Sequence, residues 1–195
     1  MFYQFVRFLS CVVFHTAFRT QVSGRSRIPP TGPLLIVSNH RSFADPLLIG
    51  WLARRPVEFM AMAELFHHPF WGPVVRHLNS FPIDRTRHDH GAAREAARRL
   101  RHGRCVGIFP EGGIRTEDKP LHAIKDGAAL IAQLTGAAVL PTVVRDTHQF
   151  HDWRRWFRGG RMSVTFGYPF CIIARDRAAA RDVLVAQLLK TVELE

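Results

Sequence analysis

Cysteine is scarce in this chain of 195 residues. Cys11, Cys105 and Cys171 are odd in number and far apart, which excludes a disulfide framework and points to free thiols in a reducing compartment. No Cys-x-x-Cys pair occurs, and His67-His68 and His88/His90 lack the spacing of a ligand set on one helix face, so no metal is expected. Lysine is nearly missing as well, present only at positions 119, 125 and 190. No apolar run approaches the roughly 20 uninterrupted residues that a bilayer-spanning helix needs. The Gly-x-Ser-x-Gly elbow of serine hydrolases is absent around Ser42, and no glycine-rich segment ends in the Gly-Lys-Ser/Thr of a P-loop. An enzyme-borne serine nucleophile and a nucleotide-triphosphate cradle are both disfavoured.

What is present is apolar and basic. The chain is 47% hydrophobic and 22% charged with 15 phenylalanines, enough to bury one sizeable core and far from a disordered composition. The formal net charge is +11 and almost all of the positive charge is arginine. Such a surface attracts polyanions, whether nucleic acid, anionic lipid or phosphorylated small molecules. An arginine bias also follows from genomic base composition, so charge alone names no partner. No helix-turn-helix, zinc finger or RNA-binding signature accompanies it, and nucleic acid is not expected.

The first residues, MFYQFVRFLSCVVFHTAF, are apolar at Phe2, Phe5, Val6, Leu9, Val12 and Val13, a helical spacing. Gln4, Arg7 and His15 interrupt the run, and a positive charge inside the apolar stretch fits a secretory signal poorly. Two readings stay open: a terminal helix packed on its own domain, or a helix lying in a membrane interface. Two basic stretches are similarly two-sided. Arg94, Arg98, Arg99, Arg101 and Arg104 read as a solvated helix face. Trp153 to Arg161, WRRWFRGGR, reads either as an ordinary loop or hairpin or as an anchor for anionic lipid.

Beyond a turn-rich connector, SGRSRIPPTG, short apolar runs alternate with helical stretches. Strands are expected at Leu34–Ser38, Val57–Ala63, Cys105–Phe109, Ala138–Val144 and Met162–Gly167. Helices are expected at Pro46–Arg54, Phe70–His77, His88–His102, Ala123–Thr135 and Arg177–Val192. The alternation predicts a single α/β domain over residues 25–195, its central sheet mainly parallel or mixed and flanked by helices. An N-terminal amphipathic helix over residues 1–24 precedes it, either packed on the domain or lying in a membrane interface. Ligand sites in such sheets collect beyond the carboxyl ends of strands.

Four stretches could carry chemistry there. In VSNHRSFADPLL, a strand delivers Asn39 and His40 to a loop, and Asp45-Pro46 reads as a helix start with aspartate as N-cap. A loop that doubles back into a helix can also bring Asp45 to His40, fixing the tautomer and leaving the other ring nitrogen as a general base. Such a base would act on a substrate hydroxyl. Asp84, Arg85 and Arg87 follow the apolar run Phe81–Ile83; alone they read as an exposed turn with a local ion pair. In CVGIFPEGGIRTEDKP, the strand runs into Glu111-Gly112-Gly113, where paired glycines let backbone approach a ligand. Pro141 interrupts an apolar strand and implies an edge, a bulge or a strand end.

Taken in order, these stretches resemble the glycerolipid acyltransferase family typified by bacterial 1-acylglycerol-3-phosphate acyltransferases. Its first block matches Asn39, His40, Ser42, Asp45 and Pro46, and its second Phe81, Ile83, Asp84 and Arg85. Its third matches Phe109 to Gly112 with Lys125, Gly127 and Ala128, and its fourth Val139 to Val144. The resemblance implies acyl transfer from acyl-CoA or acyl carrier protein, as co-substrate and with no further cofactor, to the hydroxyl of a lysophospholipid. It implies His40 as base and Asp45 as its orienter. Arg85, Glu111, Gly112, Gly113, Arg115 and Lys125 would bind substrate, and the enzyme would sit peripherally or monotopically on the cytoplasmic face of the cell membrane against anionic lipid. Here Gly113-Ile114-Arg115 stands where the family usually has Thr-Arg. That departure leaves room for an acyltransferase with another acceptor (ornithine lipid or dihydroxyacetone phosphate). A lipid-binding protein without catalysis is the remaining alternative.

Overall fold

A computed structural model describes residues 1–84, 90–114, 124–174 and 176–194. Seven strands form one sheet: β1 (Phe18–Ser23), β2 (Leu34–Ser38), β3 (Val57–Met62), β4 (Phe81–Ile83), β5 (Cys105–Ile108), β6 (Ala138–Arg145) and β7 (Gly160–Phe166). Their spatial order is β1-β7-β6-β2-β5-β3-β4. Pairings from β6 through β2, β5 and β3 to β4 are all parallel, while β7 runs antiparallel to β6 and parallel to β1. The sheet is therefore mixed, with a parallel centre, as the alternation of apolar runs and helical stretches predicts.

β2 shows why the centre forms. Its sequence LLIVS has no polar residue before the last position, and all five residues are buried, the pattern of a strand covered on both faces. Successive side chains point to opposite faces. Leu34 and Ile36 enter one core with Phe14, Leu48 and Leu52, whereas Leu35 and Val37 enter another with Leu100, Ile131 and Leu184. The first core is covered by helices α1 (Phe2–Thr16) and α2 (Asp45–Leu52). The two short helices α3 (Ala63–His67) and α4 (Trp71–His77) follow β3. The second core is covered by α5 (His90–Arg101), α6 (Gly127–Thr135) and α8 (Arg177–Val192).

Local chemistry sets the ends of these helices. α6 stops at Gly136, whose φ of 60° is the left-handed conformation that closes a helix C-terminus. α8 starts at Asp176, whose side chain accepts the Ala179 N–H at 3.1 Å. α5 turns Ala92, Ala96, Ala97 and Leu100 inward.

Several sequence expectations need correction. Residues 18–23 are not a continuation of the N-terminal helix, which ends at Thr16, but the edge strand β1. Of that strand only Phe18 is buried, and its sequence, FRTQVS, is too polar to read as an apolar run. WRRWFRGGR is neither loop nor hairpin: Trp153–Arg158 form helix α7, and β7 begins at Gly160. The α5 arginines are not simply solvated. Arg99 Nη1 donates to the buried Glu58 at 2.7 Å, and Arg98 and Arg99 both grip Glu95. Those hydrogen bonds, that from Arg98 first, hold the Glu95 carboxyl down at about 2. Pro141 lies inside the sheet opposite Val37, at a bulge: the β6/β7 register slips by one residue between Thr142↔Phe166 and Val139↔Phe170.

α1 does two things at once. Phe14 stacks on Trp51 of α2 at 5.9 Å, and Arg7 Nε donates to the Trp51 carbonyl at 3.3 Å. The opposite side leaves Phe5, Phe8 and Leu9 61%, 67% and 51% exposed. Among the described residues no helix is long and apolar enough to cross a membrane.

Candidate active site

Because the central strands run parallel, β2, β5 and β3 all end at one side of the sheet, and β2 and β5 are neighbours there. Beyond β2 the chain turns through Asn39–Ala44 into α2. Asn39 holds the turn in place. Its amide donates to the Val144 carbonyl at 2.8 Å and its oxygen accepts the Val144 N–H at 2.7 Å, so the side chain imitates one more rung of the β2/β6 ladder.

His40 follows, and its Nδ1 lies 2.8 Å from Asp45 Oδ2. The same oxygen accepts the backbone N–H groups of Arg41 at 2.7 Å and Ser42 at 2.8 Å. Asp45 is therefore not the N-cap expected from Asp-Pro. Ala44 holds that position, Asp45 is the first helical residue, and its carboxylate reaches back into the turn instead of forward along the helix. A carboxylate offers no proton, so the imidazole donates from Nδ1 and Nε2 is left as the acceptor. Asp45 is fully buried and His40 is 7% exposed.

The His40 ring is held from one side by a stack. Phe109 lies against it with centroids 4.1 Å apart and planes at 15°, and Phe59 lies on Phe109 at 5.6 Å and 8°. Gly107 makes room for this stack. A Cβ there would sit 2.3 Å from the Phe59 ring, so β5 needs a residue without a side chain opposite Phe59. On the far side of the turn, Ser42 Oγ accepts the Ala44 N–H and lies 3.1 Å from His151 Nε2, at the end of the 3-10 helix Thr147–His151. Neither the stack nor His151 was expected from the sequence. The isolated glycine in CVGIF was the one signal of close approach.

The residues of the third stretch meet nearby. Gly112 N–H donates to the Phe109 carbonyl at 3.2 Å, and Gly112 takes a φ of 74°, which only glycine holds easily. Lys125 N–H donates to the Pro110 carbonyl at 3.0 Å, and its side chain lies over Gly112, with Nζ 2.8 Å from where a Cβ would stand. Glu111 and Gly113 complete this turn, half-buried. Lys125, Glu111, Gly112 and Gly113 are thus brought together beyond the end of β5, starting two residues on from the phenylalanine that stacks on His40. Arg85 and Arg115 lie outside the described residues.

His40 borders a cavity of about 680 Å³. Its walls come from α1, α2, β3, α3 and α4 and are apolar apart from Tyr3, Arg7, Ser10, Ser80 and His40. Phe43, Trp71 and Ile114 line it while remaining 50%, 45% and 45% exposed, and so mark its mouth. A mostly apolar chamber with one imidazole at its edge suits a ligand with a hydrocarbon tail and a reactive polar end.

Comparison with known proteins agrees with this chemistry. Residues 19–145 match the family model described as Acyltransferase. The chain is 26% identical over 180 residues to the 1-acyl-sn-glycerol-3-phosphate acyltransferase of Bacillus subtilis, covering 89% of this chain and 87% of that protein. It is 28% identical to the protein of the same name from Borreliella burgdorferi, over 88% of this chain and 71% of that one. The lyso-ornithine lipid O-acyltransferase of Pseudomonas aeruginosa is 32% identical over 65% of this chain and 47% of its own length. The fold is similar to that of the 1-acyl-sn-glycerophosphate acyltransferase PlsC from Thermotoga maritima, with a TM-score of 0.73, 23% identity and coverage of 99% of this chain and 80% of that one. With the family model spanning well over half of the sequence, the chain belongs to the Acyltransferase family.

Proposed function

We propose that this O-acyltransferase moves a fatty acyl group from a thioester donor, acyl-CoA or acyl carrier protein, to the hydroxyl of 1-acylglycerol-3-phosphate or a similar lysophospholipid, in phospholipid synthesis. The observation that carries the reading is the His40–Asp45 pair, bonded through Nδ1 at 2.8 Å, beside an apolar cavity of about 680 Å³. In this reading the acceptor hydroxyl loses its proton to His40 Nε2 as its oxygen attacks the thioester carbonyl carbon. Asp45 stabilises the resulting imidazolium, a division of labour worth roughly 10²–10⁴ in rate for the base alone. As the tetrahedral intermediate collapses, the C–S bond breaks and the thiolate leaves with the proton returned from Nε2. The new ester holds the acyl group.

Arg85, Glu111, Gly112, Gly113, Arg115 and Lys125 bind the acceptor head group in this proposal. The placement of Lys125 against Gly112 supports the part of it that concerns the third stretch. The enzyme works peripherally at the cytoplasmic face of the cell membrane, with the exposed phenylalanines of α1 against the lipid surface. A second acceptor, a lyso-ornithine lipid, is favoured by Gly113-Ile114-Arg115 in place of the family's usual Thr-Arg and by the Pseudomonas relative.

The test is thiol release from acyl-CoA with a panel of lysolipids and mass detection of products, beside a His40→Ala variant shown to fold. Phosphatidic acid as the main product supports the first acceptor, and an ornithine lipid supports the second. Transfer by His40→Ala at the wild-type rate would sink the mechanism. Lipid binding without turnover on any acceptor would leave the non-catalytic reading.

A further inference from the structure

α7 packs Trp153, Trp156 and Phe157 together with Arg154, Arg155 and Arg158 into six residues, and all six are exposed. Trp153 and Phe157 lie one turn apart, with rings edge to face at 6.4 Å, and are 68% and 85% exposed. Trp156 points the other way. Its Nε1 donates to the Phe150 carbonyl at 3.0 Å, and its ring packs on Phe150 at 4.8 Å and on Phe18 at 5.7 Å. At the start of the helix Asp152 accepts the Arg154 N–H at 3.0 Å. The helix is thus fastened by one tryptophan and a cap while two large aromatics face solvent.

Its charge is equally one-sided. Between Thr147 and Arg161 four arginines stand against the single aspartate Asp152, which lies 3.9 Å from Arg155. Arg161 is exposed, and the exposed Arg19 of β1 sits opposite it in the sheet register. The arginines of α5 differ, since Arg98 and Arg99 are held by Glu95 and Glu58. α7 also has a particular address. Phe150, on which Trp156 rests, lines the His40 cavity and packs against Phe14 of α1 and against Phe43 at the mouth.

We infer that α7 is a docking element for an anionic bilayer. Trp153 and Phe157 enter the headgroup region, Arg154 and Arg158 pair with lipid phosphates, and the helix holds the cavity mouth against the surface that supplies amphiphilic substrates. Tryptophan beside arginine is the composition favoured at membrane interfaces. The exposed apolar row of α1, Phe5, Phe8 and Leu9, decides for a bilayer against a polynucleotide, because it presents hydrocarbon and no charge. The inference rests on the membrane-surface reading above and specifies which element answers to lipid charge.

The experiment is co-sedimentation of the full chain with vesicles of phosphatidylcholine alone and of phosphatidylcholine with phosphatidylglycerol. Variants are Arg154→Gln with Arg158→Gln, Trp153→Ala with Phe157→Ala, and, as the α1 control, Phe5→Ser with Phe8→Ser. Circular dichroism and thermal unfolding establish that each is folded. Losing two arginines should weaken binding to the anionic vesicles about 30-fold and leave the neutral ones unchanged. Losing the aromatic pair should weaken binding to both. Wild-type binding by both α7 variants, with the α1 variant impaired, overturns the inference and leaves the membrane reading standing. A wild-type chain that sediments with neither vesicle overturns both. Tighter binding to duplex DNA or RNA than to anionic vesicles, through the same arginines, overturns it in favour of a polynucleotide.

Discussion

Replacing Asp45 by asparagine separates charge from geometry at the site. All three hydrogen bonds of the carboxylate, from His40 Nδ1, Arg41 N and Ser42 N, converge on Oδ2, and Oδ1 has no partner among the described residues. An asparagine can put its carbonyl oxygen where Oδ2 stands and its amide nitrogen where Oδ1 stands, keeping the turn, the ring and the tautomer. What it loses is the negative charge that faces the imidazolium. Unit charges about 4 Å apart at an effective dielectric near 20 attract by about 4 kcal/mol, an upper figure because the amide dipole retains part of it. At about 1.4 kcal/mol per tenfold, the rate should fall by roughly 10²–10³. That is less than the roughly 10⁴ seen where the tautomer is lost as well. The buried amide nitrogen brings two N–H groups with no acceptor, a loss of about 1–3 kcal/mol. For a chain of this size that lowers the melting temperature by roughly 2–12 °C. Single-turnover thiol release on folded protein measures the first quantity and calorimetry the second. A variant that keeps more than about a tenth of the wild-type rate while unfolding within this range would show that the charge of Asp45 is not what the histidine uses.

Other substitutions follow from the packing. Gly107→Ala should push Phe59 off its stack, lowering stability by about 1–3 kcal/mol and disturbing the ring of His40; a lower melting temperature with kcat unchanged would reduce the stack to plain packing. Asn39→Ala leaves the N–H of the fully buried Val144 unpaired, and thermal unfolding should register about 1–3 kcal/mol. Gly50→Leu projects into the cavity toward Tyr3, whose Oη is 3.5 Å from the added Cβ. It should select against long acyl donors by about 0.8 kcal/mol, near fourfold, per methylene excluded, as read from kcat/KM across a chain-length series. Burial pushes the Cys105 thiol up to about 12 while Cys171 is exposed. Iodoacetamide followed by peptide mapping should therefore find Cys171 labelled first and Cys105 last. Because the folded protein favours the protonated Cys105, its contribution to stability is whole below the ordinary thiol range. It is lost as the pH climbs toward 12, and urea titrations of wild type and Cys105→Ala would reveal this.

The parts of the molecule legible in the sequence were those whose physics is local. β2 announces itself because a strand covered on both faces must be apolar at every position, and α8 because Asp176 caps a regular helix. The His40–Asp45 pair was legible because the four residues of turn between them leave few ways to arrange a histidine and a carboxylate. β1 was not, since this edge strand is too polar to read as an apolar run and draws its stability from a partner about 140 residues away. The aspartate was placed one position wrong for a similar reason. Asp-Pro fits a capping pattern, but the two backbone N–H groups of the turn outcompete the helix for its oxygen. The Phe59–Phe109 stack, Asn39 on Val144 and His151 on Ser42 join residues far apart in the chain, and no local pattern encodes them.

The pairing of β1 with β7 also orders events during synthesis. Phe18 lies beside Gly160, and Val22 beside Val164, so the first strand made waits for the last. At roughly 5–20 residues per second a ribosome takes on the order of 7–30 s to span that gap. During this interval β2, β5 and β6 can join, since β6 is complete at Arg145. α1 can settle on Trp51 once α2 is made, but β1 has no strand to pair with until β7 appears. The nascent chain therefore carries the backbone edge of β1 unpaired through most of translation, open to a chaperone or to a strand of another chain.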